Sequence, residues 1–210
     1  MALQKMQAMK QKCYHELNRD VQKGKILFTG SSLMEGFPIN ELCMTSGYTN
    51  ILYNRGIAGL TTDTFLECIH DVLLDLQPSQ VFINIGTNDI GRQDGWEAHL
   101  EQNYRTILRQ ATEHIPNVVI TLMAYYPVNE EVIRENPLPD GRIIPRTNQK
   151  VNAANKIVMQ LAEELGLRYI DVNNGLTDKD GQLKREFTID GIHMYPSGYK
   201  IVFENLKAYL

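Results

Sequence analysis

Five short apolar runs limit the folds open to this chain more strongly than any other pattern in its sequence. They cover residues 25–30, 50–56, 80–89, 117–126 and 167–172 and are rich in β-branched and aromatic residues. Their apolar residues are nearly continuous and do not alternate with polar ones, which is typical of strands buried on both faces of a sheet. Sheets covered on both faces are mostly parallel, so the runs predict five parallel strands.

Helical patterns separate these predicted strands along the chain. Apolar residues recur at the spacing of an amphipathic helix in five segments, 2–20, 62–76, 96–114, 147–165 and 197–210. Residues 34–48 are helical or irregular, and 127–146 form the longest predicted loop. Strands that alternate with helices through right-handed crossovers build an α/β fold, here a three-layer α/β/α sandwich around a five-stranded parallel sheet. Such folds bind ligands outside the carboxyl ends of their strands.

The length and charge of the chain restrict its domain organisation and its partners. A chain of 210 residues suits one sizeable core, so we expect a single domain over residues 1–210, with an N-terminal helix in 1–22 packed on it. The 21 basic and 25 acidic residues give a formal net charge of −4. No nucleic-acid partner is expected, because binding to phosphates needs a basic surface. If the chain forms an oligomer, we expect a homodimer, since two-fold dimers are the commonest kind.

Three features of the sequence indicate a cytoplasmic protein. Residues 1–17 contain no uninterrupted apolar stretch of the kind found in secretory signal peptides. No segment has the roughly 18 apolar residues that a membrane-spanning helix needs, so stable membrane association is not expected. The cysteines, Cys13, Cys43 and Cys68, are few, odd in number and widely spaced, without a CxxC pair. This pattern favours reduced thiols over disulfides, a zinc ribbon or a redox motif.

Turns at the ends of the first two predicted strands contain residues that could carry chemistry. Ser31 and Ser32 directly follow Gly30. A serine at such a turn can direct its hydroxyl out of the sheet, where the N-terminus of the following helix favours negative charge. Residues 54–59, NRGIAG, follow the second strand, and their glycines allow close approach of the backbone to a ligand. Either turn alone is also an ordinary loop sequence.

Two further motifs add an amide, a carboxylate and an imidazole. Asn88 lies in the GTND stretch after the third strand and can donate a hydrogen bond into a site, although asparagine is also a common helix N-cap. Asp190 and His193 are close enough in sequence for the carboxylate to meet the imidazole and hold one tautomer of it. The other ring nitrogen would then be free to take a proton from a serine. Together the motifs supply a nucleophile, a base, an orienting acid and extra donors along one rim of the sheet.

With this combination the sequence resembles the SGNH hydrolases, also called the GDSL esterase/lipase family, from Lys25 to the C-terminus. The resemblance depends on four blocks, GSSL at 30–33, GIAGLT at 56–61, GTND at 86–89 and DGIH at 190–193. It implies a flavodoxin-like SGNH-hydrolase fold. Within the family, the size of the chain and the NRGIAG turn are most similar to the platelet-activating-factor acetylhydrolase-like and bacterial acylesterase branch.

The resemblance also implies roles for the motif residues in a serine esterase. Ser32 would be the nucleophile, His193 the general base and Asp190 the residue that orients it, with an acyl-serine intermediate. The oxyanion would be held by the backbone amides of Ser32 and Gly59 and by the side chain of Asn88. The enzyme would be a carboxylic ester hydrolase that acts on a small-molecule ester and needs no cofactor.

Two positions depart from the family pattern. Ser31 stands where the GDSL motif has an aspartate, and Leu60 replaces the acid that often follows the glycine of the second block. Neither change removes a catalytic group, but the change at Ser31 could alter how the first block is held.

Substrate-binding residues are predicted at Met34, Tyr125 and Tyr126, and the loop at 127–146 is predicted to form a wall of the site. Residues near Met34 and Trp96 are predicted to contribute to the same wall. Because the catalytic rim of this fold tends to be open, we expect short acyl groups such as acetyl, in acetylated sugars, small aliphatic esters or a phospholipid acetyl ester. Long-chain lipase action is not expected, since no amphipathic lid with a large apolar face is evident. No metal site is predicted, because no further histidine or cysteine accompanies the DGIH block at metal-ligand spacing.

Two other classes of protein are alternatives at this point. The turn at 29–32 could hold a phosphate in a flavodoxin-like flavin or nucleotide-binding module, but phosphate-loop and dinucleotide motifs are absent, and the GTND and DGIH blocks would be unexplained. A catalytically silent SGNH-fold binding protein would keep the fold without turnover. The DKDG sequence at 178–181 does not match a calcium loop, because Leu176 and Phe187 would occupy the first and last ligand positions.

Overall fold

A parallel sheet lies at the centre of the computed structural model, which describes residues 2–92 and 94–210. Its strands are β1 (Ile26–Gly30), β2 (Leu52–Asn54), β3 (Gln80–Asn84), β4 (Val119–Met123) and β5 (Arg168–Ile170). Their order across the sheet is β2-β1-β3-β4-β5, and every neighbouring pair is parallel. The prediction of a five-stranded parallel sheet is therefore confirmed. The direction of chain progression reverses between β1 and β3, so the crevice in which such sheets bind ligands lies at the carboxyl ends of these strands.

Helices connect the strands. They are α1 (Ala2–Leu17), α2 (Ser32–Glu35), α3 (Ile39–Thr45), α4 (Thr62–Glu67), α5 (Ile69–Val72), α6 (Trp96–His114), α7 (Glu130–Glu135), α8 (Asn148–Leu165) and α9 (Pro196–Leu206). Short 3₁₀ turns lie at Leu74–Leu76, Arg185–Phe187 and Lys207–Tyr209. In the part of the chain that the structure describes, no helix combines the length and the apolar character that crossing a bilayer requires.

Two apolar clusters, one on each face of the sheet, form the core. Along β1, Leu27 belongs to one cluster, whereas Ile26 and Phe28 belong to the other, as the two-residue period of a strand requires. The first cluster joins the sheet to α1, α4, α5, α6 and α8, and the second joins it to α2, α3 and α9. Helices cover both faces of the sheet, which confirms the three-layer sandwich.

The strands are shorter than the predicted runs, and two other segments differ in kind from their predictions. The helix predicted at 62–76 is interrupted at Cys68, where φ of −115° and ψ of 19° depart from helical geometry, so that α4, α5 and a 3₁₀ turn replace it. The loop predicted at 127–146 contains α7. Asn129 caps this helix, because its Oδ1 accepts the backbone N–H of Val132 at 3.0 Å.

Three asparagines hold the chain that leaves β4. The backbone N–H of Tyr125 donates to Oδ1 of Asn155 at 2.7 Å, and that of Val128 donates to Oδ1 of Asn148 at 2.9 Å. Nδ2 of Asn173 donates to the Tyr125 carbonyl at 3.0 Å. These side chains satisfy backbone groups beyond the end of the β4–β5 pairing, where no strand neighbour continues the ladder.

Candidate active site

A serine, a histidine and an aspartate form one hydrogen-bonded chain near the carboxyl end of β1. Ser32 is the first residue of α2 and is separated from the end of β1 by Ser31 alone. Its Oγ lies 2.9 Å from Nε2 of His193, and Nδ1 of His193 lies 2.6 Å from Oδ2 of Asp190. This geometry would let the imidazole take a proton from the hydroxyl while the carboxylate faces the other ring nitrogen.

Local hydrogen bonds fix the position of Asp190 relative to His193. Oδ1 of Asp190 accepts the backbone N–H of Ile192 at 3.0 Å and that of His193 at 2.8 Å. The Oγ1 atom of Thr188 accepts the backbone N–H of Gly191 at 2.8 Å and donates to the His193 carbonyl at 3.0 Å. The carboxylate and the imidazole are therefore presented together by one short turn.

The charge state of Asp190 follows from these contacts. Burial alone would raise its pKa, but hydrogen bonds from the His193 side chain and from the backbone of His193 and Ile192 outweigh burial and lower the pKa from 3.8 to about 2. At neutral pH the carboxylate is ionised and can stabilise a positively charged imidazole. The side chains of His193 and Asp190 are 40% and 37% exposed, so the site opens directly to solvent.

The two predicted oxyanion residues outside α2 lie in loops that contact each other. Nδ2 of Asn88 donates to the carbonyl of Leu60 at 2.9 Å, which links the GTND turn to the residue after Gly59. Gly59 has φ of +76°, a conformation that favours glycine. The side chains of Leu3 and Gln7, both from α1, pack against it, and a Cβ built at position 59 would lie 2.9 Å from Cδ2 of Leu3.

Asn54 and Ala58 of the NRGIAG turn form hydrogen bonds with α2, the helix that carries Ser32. Nδ2 of Asn54 donates to the carbonyl of Met34 at 2.7 Å. Oε2 of Glu35 accepts the backbone N–H of Ala58 at 2.6 Å. Ser31, by contrast, is buried, and its Oγ has no hydrogen-bond partner among residues 2–92 and 94–210. These two hydrogen bonds connect α2 to the NRGIAG turn, and the side chain at position 31 takes no part in them.

A buried network holds the GTND turn against the start of α4. The carboxylate of Asp89 accepts the backbone N–H of Thr62 at 3.1 Å and its hydroxyl at 2.5 Å. The same hydroxyl accepts a hydrogen bond from Nδ2 of Asn103 at 2.8 Å. Burial raises the pKa of Asp89, and the hydrogen bonds from Thr62 only partly oppose this rise. The network restrains the backbone next to Asn88.

The expected substrate-binding residues require a correction. Met34, Tyr125 and Tyr126 are only 0%, 1% and 2% exposed, so they offer no surface to a substrate in this structure. Met34 lies on the inner side of α2, within the core cluster that also contains Tyr126. The Tyr125 hydroxyl donates to the Ile85 carbonyl at 2.6 Å within the opposite cluster. Their positions near strand ends suggested the crevice, but these side chains turn into the two cores instead.

Arg146 reaches the site from the loop before α8 and is absent from the predicted site residues. It is only 7% exposed, and its Nη2 donates to Oδ1 of Asn88 at 3.3 Å. Arginine is rarely this buried, and nothing in the local sequence distinguishes Arg146 from an exposed arginine. In the sequence, only the length of the segment at 127–146 indicates a functional role for this region, since long loops are often functional.

Within the described ranges, 2–92 and 94–210, two other clusters bring metal-ligand side chains together outside this site. Each has ligand atoms within 4.8 Å of one another, and they consist of His15, Asp71 and Asp75, and of Asp63, Asp89 and His99. In the first cluster, Asp71 accepts hydrogen bonds from Gln11 and pairs with His15 at 2.9 Å. In the second, Asp89 is engaged by Thr62. Protein hydrogen bonds thus account for the buried carboxylate in each cluster, and neither cluster includes Ser32, Asp190 or His193.

Comparison with known proteins finds a similar solved structure and two similar curated proteins named as esterases. A Streptococcus pneumoniae structure described as a platelet activating factor superposes with a TM-score of 0.87 at 32% identity, and covers 99% of this chain and 94% of that one. The GDSL esterase/lipase CPRD49 of Arabidopsis thaliana is 28% identical over 158 residues, which are 70% of this chain and 61% of that protein. The isoamyl acetate-hydrolyzing esterase 1 homolog of Bos taurus is 28% identical over 136 residues, which are 61% of this chain and 54% of that protein.

The family can be stated more closely. Residues 30–201 match the GDSL-like Lipase/Acylhydrolase family, so the chain belongs to that family. The matched region begins at Gly30, at the end of β1, and includes all four sequence blocks. The chain spans less than two thirds of the length of both the Arabidopsis and the bovine relative.

Proposed function

We propose that the protein is a serine esterase that hydrolyses short-chain carboxylic esters through an acyl-serine intermediate. The observation that carries this proposal is the chain of hydrogen bonds from Ser32 through His193 to Asp190, with distances of 2.9 and 2.6 Å. This order of a hydroxyl, an imidazole and a carboxylate is the one that acyl transfer by a serine nucleophile requires, which supports the proposal. Membership of the GDSL-like family supports the reaction class.

The reaction would proceed in two halves with His193 as proton carrier. Ser32 Oγ attacks the ester carbonyl carbon while its proton moves to Nε2 of His193, and the carbonyl oxygen takes the negative charge. Collapse of this oxyanion breaks the bond to the alcohol oxygen, which receives the proton from the imidazolium. Water then attacks the acyl-serine with the same base, and the acid is released as the Ser32 hydroxyl re-forms. Asp190 remains ionised throughout and stabilises the imidazolium.

Three donors are proposed for the oxyanion, namely the backbone N–H groups of Ser32 and Gly59 and one hydrogen of Nδ2 of Asn88. The hydrogen bond from Asn88 to Leu60 supports this assignment, because it holds the amide beside the residue that follows Gly59. Fixed donors of this kind stabilise charge that develops only in the transition state, and removal of one typically costs about 3 kcal/mol.

Small aliphatic esters are the proposed substrates. The side chains of Leu3, Met6 and Met9 form, with Ile57 and Ala58, an apolar groove with a volume of about 260 Å³. Ile57 and Ala58 of this groove directly precede the proposed oxyanion glycine, Gly59, in sequence. The name of the bovine relative, an isoamyl acetate-hydrolyzing esterase homolog, supports small acetate esters.

Hydrolysis of p-nitrophenyl acetate tests the proposed function. Ser32→Ala removes the nucleophile, so we expect turnover to fall by about 10³-fold or more. Ser31→Ala is the matched control, because its hydroxyl makes no hydrogen bond to the described residues and its loss leaves turnover near the wild-type level. Wild-type turnover in Ser32→Ala would refute the nucleophile. If the wild type hydrolyses neither p-nitrophenyl esters from acetyl to dodecanoyl nor acetylated sugars, the proposed esterase function is refuted.

We also propose that the protein forms one domain, is cytoplasmic and assembles as a homodimer. The three cysteines are free thiols, as a reducing compartment favours. Two-fold dimers are the commonest oligomers of soluble proteins. Cell fractionation tests the compartment, and light scattering tests whether the particle has twice the chain mass of 24.0 kDa.

A further inference from the structure

Arg146 is a buried cation beside the proposed catalytic groups. Its side chain belongs to the segment that enters α8, directly before the N-cap residue Thr147, and only 7% of the residue is exposed. Burial of a guanidinium is unfavourable unless other groups compensate the charge and accept its hydrogen bonds. The burial of Arg146 therefore calls for an explanation in terms of what the guanidinium contacts.

The contacts of this guanidinium are few and point to one residue. Among residues 2–92 and 94–210, no carboxylate oxygen lies within 4.0 Å of a guanidinium nitrogen of Arg146, the distance that defines an ion pair. Nε of Arg146 has no hydrogen-bond partner among the same residues. The direct side-chain contact is from Nη2 to Oδ1 of Asn88, at 3.3 Å. Burial lowers the pKa of Arg146 to about 10, although the negative charges of Asp190 and Asp89 oppose this. The group is therefore cationic at neutral pH.

The chemistry of the two side chains determines how Asn88 is oriented. A guanidinium carries only donors, so it can pair with the amide oxygen of Asn88 and not with the amide nitrogen. Nδ2 then faces the opposite way, where one of its hydrogens is bonded to the Leu60 carbonyl at 2.9 Å. In the part of the chain that the structure describes, the second hydrogen of Nδ2 has no partner. A positive charge next to Oδ1 also polarises the amide and strengthens Nδ2 as a donor.

We propose that Arg146 is a positioning residue for ester hydrolysis, which fixes the Asn88 amide so that its remaining Nδ2 hydrogen can donate to the oxyanion. The inference rests on the proposed function, because an effect on ester hydrolysis requires that Asn88 stabilises the oxyanion. Arg146 itself need not touch the substrate, because its effect passes through Asn88. It extends the site to a loop that lies outside all four sequence blocks.

A double-mutant cycle on hydrolysis of p-nitrophenyl acetate tests this role. If Arg146 acts through Asn88, Arg146→Met lowers kcat about tenfold when Asn88 is present, while KM changes by less than about threefold. In an Asn88→Ala background, the same substitution lowers kcat by less than about twofold. Arg142→Met is the matched control, since this arginine of the same loop is 77% exposed and pairs with Asp140. Equal loss of kcat in both backgrounds, or no loss beyond that of Arg142→Met, would overturn the proposal.

A conservative variant and a spectroscopic measurement test the role of Arg146 even if Arg146→Met does not fold or the protein hydrolyses no ester. Arg146→Lys keeps the charge without the planar fork, so we expect kcat between those of the wild type and Arg146→Met. In ¹⁵N–¹H spectra, the side-chain amide signals of Asn88 are identified by their loss in Asn88→Ala. They should shift in both Arg146 variants and remain in place in Arg142→Met. Unshifted signals would overturn the proposal even if the wild type hydrolyses no ester, a result that would refute the proposed function separately.

Discussion

Asp190 uses each carboxylate oxygen for a different purpose. Oδ1 accepts two backbone N–H groups of its own turn, and Oδ2 faces the imidazole of His193. The spacing of the DGIH block allows both, because a three-residue separation places the aspartate and the histidine on one turn. The structure brings the three predicted catalytic side chains into one chain of contacts. Their roles in catalysis stay a prediction until Ser32→Ala is assayed.

Acid titration of stability tests the contacts of Asp190. The folded-state pKa of about 2 lies below the ordinary value of 3.8. The carboxylate therefore contributes stability that is complete above the unfolded-state pKa and is lost as pH falls through the folded-state pKa. We expect the difference in free energy of unfolding between the wild type and Asp190→Asn to shrink as pH falls from about 3.8 toward about 2. Urea titrations at several pH values measure it. The exposed Asp20→Asn should not reproduce this change, and a pH-independent difference would contradict the assignment.

The substitution Gly86→Ala tests the packing beneath the GTND turn. The φ of Gly86 is +112°, and a Cβ built there would lie 2.4 Å from the Tyr125 hydroxyl and 2.6 Å from Cδ1 of Leu100. Gly86→Ala should therefore lower the free energy of unfolding by about 2–4 kcal/mol, through backbone strain and overpacking. Gly166→Ala is the control, because Gly166 also has positive φ, at +65°, but no atom lies within 4 Å of its built Cβ. Equal losses in urea unfolding would show that the contact with Tyr125 does not matter.

The helix α1 contacts the loop of the proposed oxyanion glycine although it precedes the family match. The Tyr14 hydroxyl donates to the Gly56 carbonyl at 2.9 Å, and Nε2 of Gln7 donates to the Ala58 carbonyl at 3.0 Å. Lys10 pairs with Glu35 at 3.1 Å. These bonds connect α1 to the loop that ends at the proposed oxyanion glycine. The sequence pattern predicts this helix, because its period is local, but it does not show which loop the helix contacts.

Tyr14→Phe tests whether α1 supports the loop. The substitution keeps the ring and leaves the Gly56 carbonyl without its donor, so the free energy of unfolding should fall by about 1 kcal/mol. We also expect a severalfold lower kcat for p-nitrophenyl acetate, because the loop that carries Gly59 loses one restraint. Tyr209→Phe, at an exposed tyrosine near the C-terminus, is the control. Equal kcat values in the two variants would show that α1 serves stability alone.

At the scale of the whole molecule, the order of the strands brings the loops of the candidate site together. Because β2, β1 and β3 are neighbours, the loops that carry Gly59, Ser32 and Asn88 leave three adjacent strands at the same edge of the sheet. His193 joins them from 161 residues beyond Ser32. Strand type and the parallel arrangement follow from the hydrophobic pattern, which is a local property of the sequence. The approach of His193 to Ser32 depends on the fold of the entire chain.

The sequence alone therefore determines the features that depend on neighbouring residues. The apolar runs encode the strands, the helical period encodes the long helices, and the four blocks encode the candidate nucleophile, base and donors. Tertiary structure decided the rest, because burial and contact depend on segments far apart in sequence. It turned Met34, Tyr125 and Tyr126 into the core, left the hydroxyl of Ser31 without a partner among the described residues, and brought Arg146 to Asn88 across 58 residues. No local pattern distinguishes a buried arginine from an exposed one, since only the surrounding packing determines whether water reaches it.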